Sequence, residues 1–161
     1  MGSGKSHIGK KLAAKLDYQF IDLDDWIEHH QNSTIANIFT KQGEARFREI
    51  ERDELQSLSN INNAVISTGG GAPCFFENME WMNKHGKTIY LQTTPELLFQ
   101  RLKNQRAKRP ILSDTAESEL KQFITDKIKE RETFYLQCQI HLHQDKNGDD
   151  IINEIASLIK P

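Results

Sequence analysis

Gly2-Ser3-Gly4-Lys5-Ser6 sets two glycines, a lysine and two hydroxyl side chains in five consecutive residues. The order is the back half of the loop G-x-x-x-x-G-K-[ST]. Successive backbone N–H groups of that loop wrap a polyphosphate, and the N-terminus of the following helix adds partial positive charge. Lys5 is then placed to reach the β- and γ-phosphates, and Ser6 to offer its hydroxyl to Mg²⁺. Apolar residues follow at Ile8, Leu12, Ala13 and Leu16, the spacing of a helix, which is the context such a loop needs. The front of the motif and the hydrophobic strand that would feed it do not precede these residues.

Four further groups have types and spacing suited to chemistry. In Phe20-Ile21-Asp22-Leu23-Asp24-Asp25, acids stand at the carboxyl end of a short apolar run, where open α/β sheets place their ligands. Strand alternation would send Asp22 and Asp24 to one side. One could address Mg²⁺ through water and the other bind or deprotonate a substrate hydroxyl; equally, Asp24 or Asp25 could cap the next helix. Arg46 and Arg48 are two residues apart on a helix, so only one of them faces a site. Gly69-Gly70-Gly71 halts a buried strand, as a backbone approaching a ligand closely would require, a plain tight turn being the ordinary alternative. Arg101, Lys103, Arg106, Lys108 and Arg109 make a basic run before Pro110, either a solvated face or a lid that closes on a nucleotide. Arg131, in Lys129-Glu130-Arg131-Glu132, lies near the end of a helix. The six histidines show no metal-ligand spacing.

The elements that must position these groups alternate. Strands are expected at 18–23, 64–67, 88–91 and 139–143. Helices are expected from about residue 8 to 16 and at 24–30, 34–40, 43–58, 77–84, 95–104, 117–135 and 149–159. Short apolar strands between helices imply a parallel sheet covered on both faces, a three-layer α/β/α domain. A chain of 161 residues fits one domain, 1–161, with a lid at about 105–118. The formal charge of −2 invites neither nucleic acid nor an anionic membrane surface, and no apolar run approaches a membrane span. Cys74 and Cys138 form no C-x-x-C pair and read as ordinary buried thiols of a reducing, cytoplasmic compartment.

Taken in order, GSGKS, FIDLD, STIANIF with GEARFREIE, STGGGA, KRPIL and KERETFY resemble the shikimate kinases over nearly the whole chain. The resemblance implies transfer of the γ-phosphoryl of ATP to the 3-hydroxyl of shikimate, with Mg²⁺, in chorismate and aromatic amino-acid biosynthesis. It implies a nucleoside-monophosphate-kinase-like P-loop fold with a five-stranded parallel sheet, and a monomer. By motif, Gly2, Ser3, Gly4, Lys5, Ser6 and His7 would line the nucleotide phosphates, with His7 in place of the family's usual threonine. Ser6 and Asp22 would serve the metal, and Asp24 would hold and help deprotonate the acceptor hydroxyl. Arg48 and Arg131 would clamp the shikimate carboxylate, since a planar guanidinium fork binds it bidentately. Gly69, Gly70 and Gly71 would lie along the substrate, Arg109 would reach the phosphate from the lid, and Arg101 would stack on adenine. The alternatives are another small-metabolite kinase of the gluconate-kinase type and a non-catalytic relative that binds a nucleotide or metabolite. The family's first strand lies between those at 64–67 and 88–91, so a native chain beginning upstream of Met1 is expected.

Overall fold

The computed structural model describes residues 2–103, 117–144 and 148–159. The expected lid, including Arg106, Lys108 and Arg109, lies outside the described residues.

Seven helices and four strands of four residues each alternate among the described residues: α1 Lys5–Leu16, β1 Gln19–Asp22, α2 Leu23–Gln31, α3 Ile35–Ser57, β2 Ala64–Ser67, α4 Asn78–His85, β3 Ile89–Gln92, α5 Pro95–Lys103, α6 Glu117–Tyr135, β4 Ile140–His143 and α7 Gly148–Ile159. Each corresponds to an element expected from sequence. The break expected between the helices at 34–40 and 43–58 is a kink within α3. Gly43 there adopts φ 80° and ψ 171°, a conformation glycine takes without Cβ strain.

Pairing is parallel throughout. Gln19 to Asp22 run in register with Ala64 to Ser67, and Ile89 to Gln92 with Ile140 to His143. The strands form two separate two-stranded sheets, β1-β2 and β3-β4, where the resemblance implies a single sheet of five. No backbone hydrogen bond joins the two sheets among the described residues.

Apolar packing spans the division. Ile8 and Leu12 of α1, Leu91 of β3, Leu142 of β4 and Ile151, Ile152 and Ile155 of α7 form one buried cluster, with Val65 of β2 packed against it. The contact of α1 on β1 is close enough that a methyl group at Gly9 would meet the Phe20 ring at 2.7 Å. A second cluster joins β1, α2 and α3 through Ile21, Leu23, Ile27, Ile38, Phe47, Ile50 and Leu55. A third joins α5 to α6 through Leu98, Leu102, Leu120 and Ile124. Burial of this kind, at about 25 cal/mol per Å² of apolar surface, orients the elements that carry the polar groups below.

Candidate phosphate and substrate site

The carboxyl ends of all four strands reach the residues around the Gly2–Ser6 loop or contact the loop itself. At the end of β1, Asp22 Oδ2 accepts a hydrogen bond from Ser6 Oγ at 2.6 Å, and Ser67 Oγ at the end of β2 lies 3.5 Å from the same hydroxyl. After β4, Gln144 Nε2 donates to the Ser3 carbonyl at 2.6 Å. Its Oε1 accepts from Thr93, just after β3, at 3.0 Å and from Arg101 at 2.9 Å. Arg101 also donates to the Gly2 carbonyl at 3.4 Å. The structure thus places Arg101 on the loop's backbone, a contact the sequence reading did not foresee.

The loop enters α1 through Gly4, whose φ of 83° lies in the left-handed region, and no side chain caps this helix. Its first-turn N–H groups therefore have no side-chain acceptor, the arrangement in which a helix start receives an anion. Lys5 Nζ donates to Ser3 Oγ at 3.4 Å within the loop, and its charge also reaches Asp24. His7 is exposed on the first turn, and its charge is felt by Asp149.

The acidic pair is arranged differently from strand alternation. β1 ends at Asp22, and Asp24 already lies in the first turn of α2. The helix cap is Asp22, whose Oδ1 accepts from the Asp24 N–H at 3.1 Å, and not Asp24 or Asp25. One Asp22 oxygen thus ends a helix while the other meets Ser6. Asp24 is left to face inward. Burial, and then the nearby charge of Asp22, raise its pKa above the ordinary 3.8, opposed by Lys5.

Arg46 and Arg48 separate as their spacing requires. Arg46 is exposed and pairs with Glu49 at 2.7 Å, whereas Arg48 is only 8% exposed. Arg48 Nη1 donates to Glu51 Oε2 at 2.7 Å, its Nη2 donates to Glu44 Oε1 at 3.0 Å, and its guanidinium lies over the Phe75 ring at 4.4 Å. Glu51 is 1% exposed, and burial raises its pKa against the opposing pull of Arg48. Sequence reasoning missed Glu51; its signal was the i, i+3 spacing from Arg48.

The triple glycine packs against these charges. A Cβ at Gly69 would stand 3.1 Å from both Asp24 Oδ1 and Glu51 Oε1, and one at Gly71 would stand 2.7 Å from both terminal nitrogens of Arg48. At these two positions the immediate need for glycine is the close approach of the protein's own side chains. The Gly70 carbonyl accepts a hydrogen bond from Tyr135 at 2.5 Å. Arg131, one turn before Tyr135 on α6, is half-buried and close enough to Glu51 and Cys74 for its charge to be felt at both. Arg48, Glu51, Asp24 and the glycine loop therefore meet, Arg131 lies within reach of Glu51 by its charge, and Asp22 and the charge of Lys5 reach Asp24.

Cys74 and Cys138 are free and half-buried rather than fully buried, and burial pushes both thiols up. Among the described residues, no helix is long and apolar enough to cross a membrane, and no group of three or more His, Cys, Asp or Glu could hold a metal by itself. Ser6 and Asp22 nevertheless form an oxygen-donor pair suited to Mg²⁺, which takes few protein ligands and completes its shell with water and phosphate.

A glycine-lysine-serine loop opening an uncapped helix, at the carboxyl ends of parallel strands, defines a P-loop phosphotransferase of the nucleoside-monophosphate-kinase type, and similar solved structures share that α/β fold. The shikimate kinase family model matches residues 1–160, and the chain belongs to that family. It is 46% identical over 149 residues to a shikimate kinase of Bacteroides thetaiotaomicron, covering 92% of this chain and 85% of the relative. It is 42% identical to one of Parabacteroides distasonis, over 99% of this chain and 95% of the relative. The crystal structure of the B. thetaiotaomicron enzyme superimposes with a TM-score of 0.93 at 41% identity, covering 99% of this chain and 93% of the other. That of the Acinetobacter baumannii shikimate kinase in complex with shikimate gives 0.88 at 33% identity, covering 99% and 88%.

Proposed function

We propose that this chain transfers the γ-phosphoryl of ATP to the 3-hydroxyl of shikimate, giving shikimate 3-phosphate and ADP, as a cytoplasmic monomer that uses Mg²⁺. One observation carries the reading. Asp24 feels the charge of Lys5 in the phosphate-binding loop and lies beside Gly69 and Glu51, the carboxylate that holds Arg48 and feels the charge of Arg131. A carboxylated polyol held by both arginines would bring a hydroxyl to Asp24 and to the phosphoryl donor beyond it. Gluconate is likewise a carboxylated polyol, but the family membership and the shikimate-bound relative favour shikimate.

Each residue then has a defined task. The Gly2–Ser6 backbone and the start of α1 bind the polyphosphate. Ser6 and Asp22 would hold Mg²⁺, which when bound neutralises phosphate charge and keeps the γ-phosphoryl in line. Lys5 follows the γ-phosphoryl and stabilises charge on its equatorial oxygens. Arg48 and Arg131 grip the carboxylate, with Glu51 holding Arg48 in place. Asp24 accepts the proton of the 3-hydroxyl as its oxygen bonds to the γ-phosphorus and the bond to the β,γ-bridging oxygen breaks. Arg109 would join from the lid, the catalytic part whose residues lie outside those described.

The raised pKa of Asp24 gives this base a pH signature. Its charged form is needed for the reaction, so kcat/KM for shikimate falls as pH drops through the Asp24 pKa, at a pH above 3.8. An acid limb at or below 3.8 contradicts the role. The sign for stability is opposite. Asp24 and Glu51 hold protons more tightly in the native state than when unfolded, so their contribution to stability declines as pH rises from about the unfolded values of 3.8 and 4.5 through the native ones.

Binding is tested by thermal unfolding with MgADP and shikimate. Each ligand alone raises Tm, by about 2.7 kcal/mol of stabilisation at a hundredfold excess over Kd, and gluconate does not. A Tm unmoved by shikimate contradicts the proposal.

A further inference from the structure

Helix α6 carries Arg131 and, one turn on, Tyr135. The Tyr135 hydroxyl donates to the Gly70 carbonyl at 2.5 Å. A single hydroxyl thus links the turn of α6 that carries Arg131 to the glycine loop. The contact spans 65 residues of sequence.

The ring that presents this hydroxyl is itself fixed. Tyr135 packs on Tyr90 of β3 with ring centroids 5.0 Å apart, and Tyr90 stacks on His141 of β4 at 5.1 Å. On the same turn of α6, Glu132 accepts from Gln92 of β3 at 3.2 Å, and Gln92 contacts His141 at 2.8 Å. The end of α6 is therefore fastened to the β3-β4 sheet, while Gly70 follows β2 of the other sheet. No ladder hydrogen bond joins those sheets among the described residues, so this contact is one of the ties that set the Arg131 side against the Arg48 side.

We propose that Tyr135 is a positioning residue for the acceptor substrate, its hydroxyl fixing the turn of α6 that carries Arg131 against the Gly70 peptide. It touches neither phosphate loop nor reacting atoms. It acts through the placement of the α6 turn from which Arg131 extends, and through the peptide plane between Gly70 and Gly71. The inference rests on the proposed shikimate site.

Tyr135→Phe removes one oxygen and keeps the ring on Tyr90. In a coupled ADP-release assay with Mg²⁺, its KM for shikimate rises about tenfold, the worth of one hydrogen bond. Its KM for ATP stays within twofold of wild type, and its Tm matches wild type to within about 2 °C. The rise largely disappears when the same change is made in an Arg131→Ala background, because residues acting as a unit are non-additive. An unchanged shikimate KM, an equal rise in both KM values, or full additivity with Arg131→Ala overturns the proposal. A wild-type chain with no shikimate-dependent ADP release instead overturns the functional reading, and the proposal with it.

Discussion

Lys5→Ala lowers kcat for shikimate-dependent ADP release by about 10³-fold or more while the KM for shikimate stays within twofold. The size follows from where the charge acts. Phosphoryl transfer needs little covalent help from protein, so its rate depends on positioning and on cations placed where charge develops. A single such group is worth about 10²–10⁵-fold. Lys5 reaches Asp24 with its charge and lies in a loop whose backbone is held independently, by Gln144 on the Ser3 carbonyl and Arg101 on the Gly2 carbonyl. The loop thus keeps its course when the side chain is cut back. Far-ultraviolet circular dichroism and Tm should match wild type, which separates lost chemistry from lost fold. Near-normal turnover would remove Lys5 from the mechanism.

Arg48→Ala has the second large effect, and it reaches both binding and stability. The guanidinium donates to Glu51, which is 1% exposed, and to Glu44. Removing it strands a buried carboxylate, a change that costs about 3–5 kcal/mol when the survivor stays charged. Burial already raises the Glu51 pKa, so the carboxylate takes up a proton and the loss falls toward the lower end near pH 5. Urea denaturation at pH 7 and pH 5 measures this directly. At the same time the KM for shikimate rises at least a hundredfold, since one of the two arginines proposed to grip its carboxylate is lost. Arg48→Ala/Glu51→Gln recovers stability without recovering the KM. Recovery of both would make Arg48 a structural residue only.

These consequences were unevenly legible in the chain. The strands at 64–67 and the helix at 117–135 follow from local periodicity and hydropathy, which is why their bounds coincide with β2 and α6. The separation of Arg46 from Arg48 follows from helical geometry alone. Long-range partners left fainter marks. Glu51 and Tyr135 sit at i+3 and i+4 from the two arginines, yet that spacing fits a solvated salt bridge or a packing aromatic equally well. Only the approach of the glycine loop makes Glu51 buried and gives the Tyr135 hydroxyl its acceptor.

The strand alternation expected of Asp22 and Asp24 fails for a related reason. Alternation assumes that the strand continues, and it stops at Asp22 because that side chain turns back to cap α2. In the sequence Arg101 is one charge of a basic run, and the resemblance implies a stack on adenine. In the fold it joins Gln144 and Thr93 to the loop carbonyls, an association that brings together residues some 40 to 140 positions apart. The split between the β1-β2 and β3-β4 sheets bears on the site as well. With no ladder joining the sheets among the described residues, the apolar cluster around α1 and α7 and the polar ties at the strand ends carry the alignment.

The proposal that shikimate is the phosphoryl acceptor at Asp24 underlies every role given above. Its most direct test offers the purified chain ATP and Mg²⁺ with shikimate or gluconate side by side, following ADP by coupled assay and the product by phosphorus NMR. The account predicts ADP release with shikimate, a matching monoester resonance on the 3-hydroxyl, and no turnover of gluconate. Turnover of gluconate in preference to shikimate, or ADP release equal with and without either acceptor, would contradict it.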